Sequence, residues 1–535
     1  MRLALMFLLV LGAEDGQPIA PHLAGLGELH HEVTTESDEA QEFFDQGLRL
    51  TYGFNHAEAV RAFREAARLD PGFAMAYWGQ ALALGPNIND PMPHERQLEA
   101  LAAIDKALEL KSQVTEKERD FIEALRTRYT DDESADRAAL DEKYADAMRK
   151  LWKKYPTDPE AGTLFAASLM NTMPWDYWTK DLGPKAGTNE VVDTLERVMA
   201  AHPDHPGAHH YYIHIVEASS DPHRGEPSAE KLAALMPGSG HLVHMPSHIY
   251  LRVGRYAEAS DANVKAILAD EDYIAQCQAQ GLYPIGYYPH NIHFLWATSS
   301  LEGRSEVAID AAEKTASRVP IDMAVDFPNL QWFLVTPLYA QVRFGRWQEI
   351  LTTPPPAADM PFVMGIWHYA RGVAFAAKNQ VDRADEELSA LEKIAATPEM
   401  EKLMLNNATG SHVLNLAAAL VAGEAAAKAG HVEDAVAHLE KAVALQDELP
   451  YMEPPTWHYP VRQSLGAVLL DAGKLEQAEA VYREDLEIVP HNGWSLFGLL
   501  QTLRALGKTR EADEVEVAFK KAWARADVTL TASRF

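Results

Sequence analysis

Histidine is the residue type whose number and placement point to chemistry in this chain. Of 22 histidines, nine fall between residues 202 and 248: His202, His205, His209, His210, His214, His223, His241, His244 and His248. His290 and His293 follow. His241, His244 and His248 are spaced by three and four, which puts them on one face of a helix. His210 and His214 are four apart, His290 and His293 three apart, and Glu217 follows His214 by three. A step of 34 residues carries His210 onto His244 and His214 onto His248. Neutral imidazole is the commonest metal ligand and can use either ring nitrogen. Histidines joined by one carboxylate suit zinc, copper or non-haem iron. A divalent transition metal is therefore the expected cofactor, with its identity open among those three. Seven histidines (His210, His214, His241, His244, His248, His290 and His293) exceed one tetrahedral shell. Either two ions are held, or some of these residues orient ligands or face a substrate. Glu217 is the candidate catalytic residue, as a ligand or a general base.

Other readings stay open at this level. Stacked histidines can bind an acidic peptide or sense pH, and a single helical histidine can simply pack. His202 and His205, in HPDHPG, read as a polar turn outside the helix. His30 and His31 precede the first helix and read as a mobile tail or a flap. Arg252 could hold an anionic ligand group. Tyr211 and Tyr287, with Tyr212 and Tyr288, flank the histidines as ligand-binding or packing groups. The chain has no phosphate loop, nucleophile elbow or HExxH motif.

The elements that must position these residues are helical. In residues 40–71, small and apolar residues recur at three and four: Phe43, Gly47 and Leu50, then Ala59, Phe63 and Ala66. The polar turn Phe54-Asn55-His56 divides them into a helix hairpin, and Pro71 ends the second helix. These residues resemble the tetratricopeptide signature, a helix-turn-helix unit of about 34 residues. Gly47, Ala59, Phe63 and Pro71 fall at its positions 8, 20, 24 and 32. Gly466, Gly473, Ala478, Tyr482 and Pro490 fall at positions 8, 15, 20, 24 and 32. The frame returns at Gly372, Ala384 and Leu388, at Gly423, Gly430, Ala435 and Leu439, and at Ala512. Three segments depart from it and read as loops: 86–94 (PNINDPMPH), 172–188 (TMPWDYWTKDLGPKAGT) and 353–361 (TPPPAADMP). Trp175, Tyr177 and Trp178 in the second could line a ligand site, or plug a groove.

Gly254 and Gly303 set the frame for the histidines, at position 15. His241, His244 and His248 then occupy positions 2, 5 and 9. His210, His214 and Glu217 occupy 5, 9 and 12; His290 and His293 occupy 2 and 5; Arg252 occupies 13. In the tetratricopeptide family such positions of the first helix line the concave groove. The resemblance therefore implies that seven histidines and one glutamate face one groove from three adjacent helices. The blocks HPGAHHYYIHIVEA, GHLVHMPSHIYLRVGRY, YYPHNIHFLW and ARADVTLTASRF further resemble a family of bacterial tetratricopeptide proteins, which implies a fold and no activity. The expected fold class is all-α, a tetratricopeptide-like solenoid, or right-handed superhelix of helix hairpins, with loop insertions.

Composition bounds the partners. The net charge of −30 repels phosphate backbones and anionic membrane surfaces, so nucleic acid is not an expected partner. One cysteine, Cys277, excludes an intrachain disulfide and a zinc site of several thiolates. Arg2, the apolar run Leu3–Val10 and the small residues at Gly12 and Ala13 resemble a secretory signal peptide cleaved after Ala13. That predicts a periplasmic or secreted protein, and without it a cytoplasmic one. No later segment is long and apolar enough to span a membrane. The expected organisation is a signal segment over 1–13 and an extension over 14–39. Repeats follow over 40–350, with the histidine-rich groove at 202–296, and C-terminal repeats over 351–535. The expected function is metal binding by groove histidines, with a small molecule or peptide in the groove, in a protein that could be a metalloenzyme. The alternative is a non-catalytic adaptor whose groove binds a peptide or protein partner.

Overall fold

The structure is a computed structural model that describes residues 17–277, 283–405 and 407–535. The expected signal segment lies outside the described residues. Within them are twenty-eight α-helices, and the strands are one short antiparallel pair, Met404–Leu405 with Ala408–Thr409. No described helix is long and apolar enough to cross a membrane. The chain is all-α and tetratricopeptide-like, as the periodicity predicts.

The chain divides into two compact units. Of the described residues, those within 1–219, 231–242 and 269–283 form the first, and those within 220–230, 243–268 and 284–535 the second. The division falls inside the histidine-bearing block. In the first unit, antiparallel hairpins follow one another: Asp38–Tyr52 with His56–Leu69, Ala74–Leu84 with His94–Leu110, and Pro159–Met170 with Thr188–Ala201. In the second, Tyr288–Leu301 pairs with Ser305–Ser317, Pro361–Ala377 with Val381–Ala395, and Gly410–Lys428 with Val432–Asp447. Leu475–Ile488 packs on Arg462–Asp471 before it and on Gly493–Ala505 after it.

The repeat spacing has a packing cause. A Cβ on Gly47 would stand 2.7 Å from the Phe63 ring, and one on Gly79, in the next helix, 2.4 Å from it. Gly466 and Gly498 flank Tyr482 in the same way, at 2.5 and 2.2 Å. One buried aromatic ring thus wedges between the glycines of two successive first helices, where any larger residue would force the backbones apart.

Two departures bear on the histidines. The helix expected from residue 240 onward is broken at Met245 into Gly240–His244 and Pro246–Arg252. Pro246 has no N–H to continue the ladder, and its ring crowds the preceding turn. The second departure is a turn. Gly254 and Gly303 take positive φ (77° and 73°) at the turns of their hairpins. The corresponding residue of the first repeat is Phe54, at φ 56°. A bulky residue is strained there, at a cost of about 1 kcal/mol.

Candidate metal centre

Among the described residues, each unit holds one group of three histidines. In the first, Pro206 and the N-cap His205 start the helix Pro206–Val216, which carries His210 and His214. Gly240–His244 supplies His241. All three rings are buried, and one ring nitrogen of each lies within 4.8 Å of the others. His210 Nε2 is 3.1 Å from His241 Nε2. His210 Nδ1 is 2.7 Å from the carbonyl oxygen of Tyr52. A carbonyl can only accept, so Nδ1 carries the hydrogen and Nε2 presents its lone pair to His241. Glu217, buried at the end of the same helix, places Oε1 3.3 Å from His214 Nδ1.

Phe54 explains its strained backbone here. Its ring centroid is 4.5 Å from that of His210, 5.3 Å from His241 and 6.1 Å from His214. The irregular segments pack on the same helix. Trp175, itself at φ 62°, meets the His214 ring at 5.1 Å and donates to Asn89 Oδ1. Trp178 donates to the Ile215 carbonyl, and Tyr177 is buried. Tyr211 is buried too and stacks on His210 at 5.4 Å. His205 is kept out of the group: its Nδ1 caps the helix by accepting from Ala208, and its Nε2 faces Glu160 Oε1 at 3.1 Å. Burial opposes ionisation of Glu160, but His205 beside it and the Tyr52 hydroxyl that donates to it hold its carboxyl down to about 2.

The second unit groups His244, His248 and His290 within 4.8 Å, the first two buried and the third half-buried. His244 Nε2 is 2.9 Å from His248 Nε2. His244 Nδ1 is 2.6 Å from Asn263 Oδ1. The Asn263 amide is fixed the right way round, because its Nδ2 donates to the Ala259 carbonyl. His244 Nδ1 therefore carries the hydrogen and Nε2 is the lone-pair atom. Glu453 Oε2 lies 3.2 Å from His248 Nδ1. Phe294 takes the place that Phe54 has in the first unit, 4.8 Å from His244 and 4.7 Å from His248.

His293 is not brought into this group. Its ring lies among Trp296, Trp332 and Phe333, at 4.8, 5.8 and 5.4 Å, and burial pushes its pKa down to about 3. Tyr287 is buried at the end of the π-helical turn Tyr283–Tyr287. Arg252 lies over the Tyr451 ring, 3.9 Å from Glu453 Oε1. The sequence reading missed Phe54, Asn263, Phe294 and Glu453. Phe54 had a signal, since it replaces glycine at a repeat turn. Glu453 also had one, in the segment PYMEPPTWHYP that interrupts the C-terminal repeats.

No protein-family profile and no curated protein sequence matches the chain. Among solved structures it is similar to a human IFIT1 dimer with m7Gppp-AAAA (TM-score 0.34, 13% identity, 92% of each chain covered). It is also similar to yeast Tom70 (TM-score 0.30, 12% identity, 91% of this chain and 92% of that one). The Cut9–Hcn1 hetero-tetramer of the APC/C gives TM-score 0.30 and 12% identity over 92% of this chain and 78% of that one.

Proposed function

We propose that this helical-repeat protein binds divalent transition-metal ions on its two three-histidine groups. The observation that carries the reading is the approach of the His244 and His248 Nε2 atoms to 2.9 Å, with Asn263 Oδ1 accepting from His244 Nδ1 and Glu453 Oε2 3.2 Å from His248 Nδ1. Two lone pairs at that separation repel unless a cation or proton lies between them. Two nitrogens on one tetrahedral zinc, at about 2.0–2.1 Å each, stand roughly 3.3 Å apart. The 2.9 and 3.1 Å contacts need only a small spreading to reach that value.

Three imidazole ligands are the protein donor count of catalytic zinc sites, whereas sealed structural sites use four. Glu217 beside His214 and Glu453 beside His248 are carboxylates placed to orient a ligand or accept a proton. Such a set suits metal-assisted hydrolysis or oxidation, and zinc, copper and iron all fit it.

Elemental analysis of the purified chain tests the reading. The expected result is metal in stoichiometric amount, reduced in His244→Ala/His248→Ala and, independently, in His210→Ala/His241→Ala. A folded chain that purifies without metal and takes up no zinc, copper or iron in equilibrium dialysis overturns it. Retention of a peptide by that metal-free chain would favour the adaptor function instead.

A further inference from the structure

The second unit contains a small cavity of about 30 Å³, lined from helices Thr336–Arg343, Pro361–Ala377 and Gly410–Lys428. Three cations line it, Arg343, Lys428 and Arg534, against one carboxylate, Glu424. Glu424 is already engaged, with Arg534 Nη1 3.1 Å from its Oε2. The chain as a whole carries −30, so this gathering of positive charge runs against its composition. Arg343 is 5% exposed, and its guanidinium lies over the Trp494 ring at 3.6 Å and the Tyr459 ring at 5.0 Å. Those rings meet the faces of the guanidinium, whereas its N–H groups point outward in the plane. Among the described residues no carboxylate forms an ion pair with Arg343, and its Nη2 is shut off from solvent without an acceptor. Burial pushes its pKa down to about 9, against the pull of Tyr459 and Asp485. Asp485 is itself held by Ser495, Gln463 and Asn492. A guanidinium withdrawn from water without a partner charge is unfavourable, and an anion in the cavity it lines relieves that.

We propose that this cavity binds one small divalent oxyanion of the class of inorganic phosphate. Size sets the first part of that class. The cavity has room for on the order of two waters, enough for a compact inorganic ion and too little for an organic molecule. Charge sets the second, because three cations less one carboxylate leave +2, which a divalent anion neutralises. Chemistry sets the third, since planar guanidinium donors match oxyanion geometry and a halide does not use it. The oxygens accept from Lys428 Nζ and from the cavity-facing edges of Arg343 and Arg534. Arg534 and Phe535 belong to a segment already seated on the repeats. The Ser533 hydroxyl donates to the Gln463 carbonyl at 2.7 Å, and the Phe535 ring meets Trp494 at 5.7 Å. A bound ion therefore ties that segment more firmly to helix Gly410–Lys428. No residue of the cavity belongs to either histidine group, so the inference stands with or without metal.

Equilibrium dialysis of the full, EDTA-treated chain against radiolabelled inorganic phosphate, at fixed ionic strength, tests it. One phosphate is expected per chain, displaced by sulfate and not by chloride at the same concentration. Lys428→Gln, at an exposed position, should weaken binding about tenfold, the loss of one hydrogen bond from a charged donor. Ala377→Glu, at a half-buried position on the wall, sets a carboxylate among the cations and should abolish binding. Circular dichroism of each variant reports whether its helices are intact. Absence of phosphate uptake by the helical wild-type chain overturns the proposal. Wild-type affinity in both Lys428→Gln and Ala377→Glu does so as well, as does displacement by chloride equal to that by sulfate.

Discussion

His290 and His293 stand three residues apart on one helix, yet their surroundings differ. His290 joins His244 and His248, whereas His293 sits among two tryptophans and a phenylalanine. Burial holds His293 neutral, with a pKa of about 3 against 6.5 in the unfolded chain. Its folded value is depressed, so the unfolded state binds the proton first and stability falls as pH drops below about 6.5. The slope approaches 1.4 kcal/mol per pH unit until the folded pKa is reached. His293→Phe removes that term. Urea unfolding should show the variant losing less stability than wild type between pH 6.5 and 4.5, by about 2–3 kcal/mol, with metal content unchanged. Equal pH dependence of the two proteins, or loss of metal in the variant, would show that His293 is accessible or ligating.

At the scale of elements, the hairpin turn of the first repeat carries the argument. Phe54 adopts the positive φ that glycine takes at Gly254 and Gly303, and its ring covers three histidines. Phe54→Gly relieves backbone strain of about 1 kcal/mol and loses burial of a phenyl ring worth about 3–5 kcal/mol. The ring dominates, so denaturant titration should show a net loss of about 2–4 kcal/mol. A variant as stable as wild type would mean that the turn geometry alone decides this position. The glycine-aromatic wedges at Gly47–Phe63 and Gly466–Tyr482 were legible in the sequence, because each recurs at fixed spacing within one hairpin. So was the 34-residue step of the histidines, a property of helix periodicity. The partners that set their tautomers were not. The Tyr52 carbonyl lies 158 residues from His210, and Asn263 stands at position 24 of its repeat, where the frame has an aromatic such as Phe63 or Tyr482; that departure marks the position but not the histidine it meets. The exclusion of His293 was hidden for the same reason, since Trp332 and Phe333 arrive from a later helix.

For the whole molecule, metal binding is linked to stability. A net charge of −30 draws cations to the chain, and each unit contains its own histidine group, so on the proposed function both units would gain folding free energy from bound metal. A ligand that binds only the folded state at a hundred times its Kd contributes about 2.7 kcal/mol. For units of this size that corresponds to a rise of roughly 5–10 °C in the unfolding temperature. Scanning calorimetry of chelated and zinc-loaded chain should show that rise. In His244→Ala/His248→Ala the rise should shrink without vanishing, because His210, His214 and His241 still bind. Only the combination with His210→Ala/His241→Ala should make the chelated and loaded traces superpose. Superposition already in the wild-type chain would mean that the paired imidazoles share a proton and not a metal, leaving both groups as buried packing within the helices.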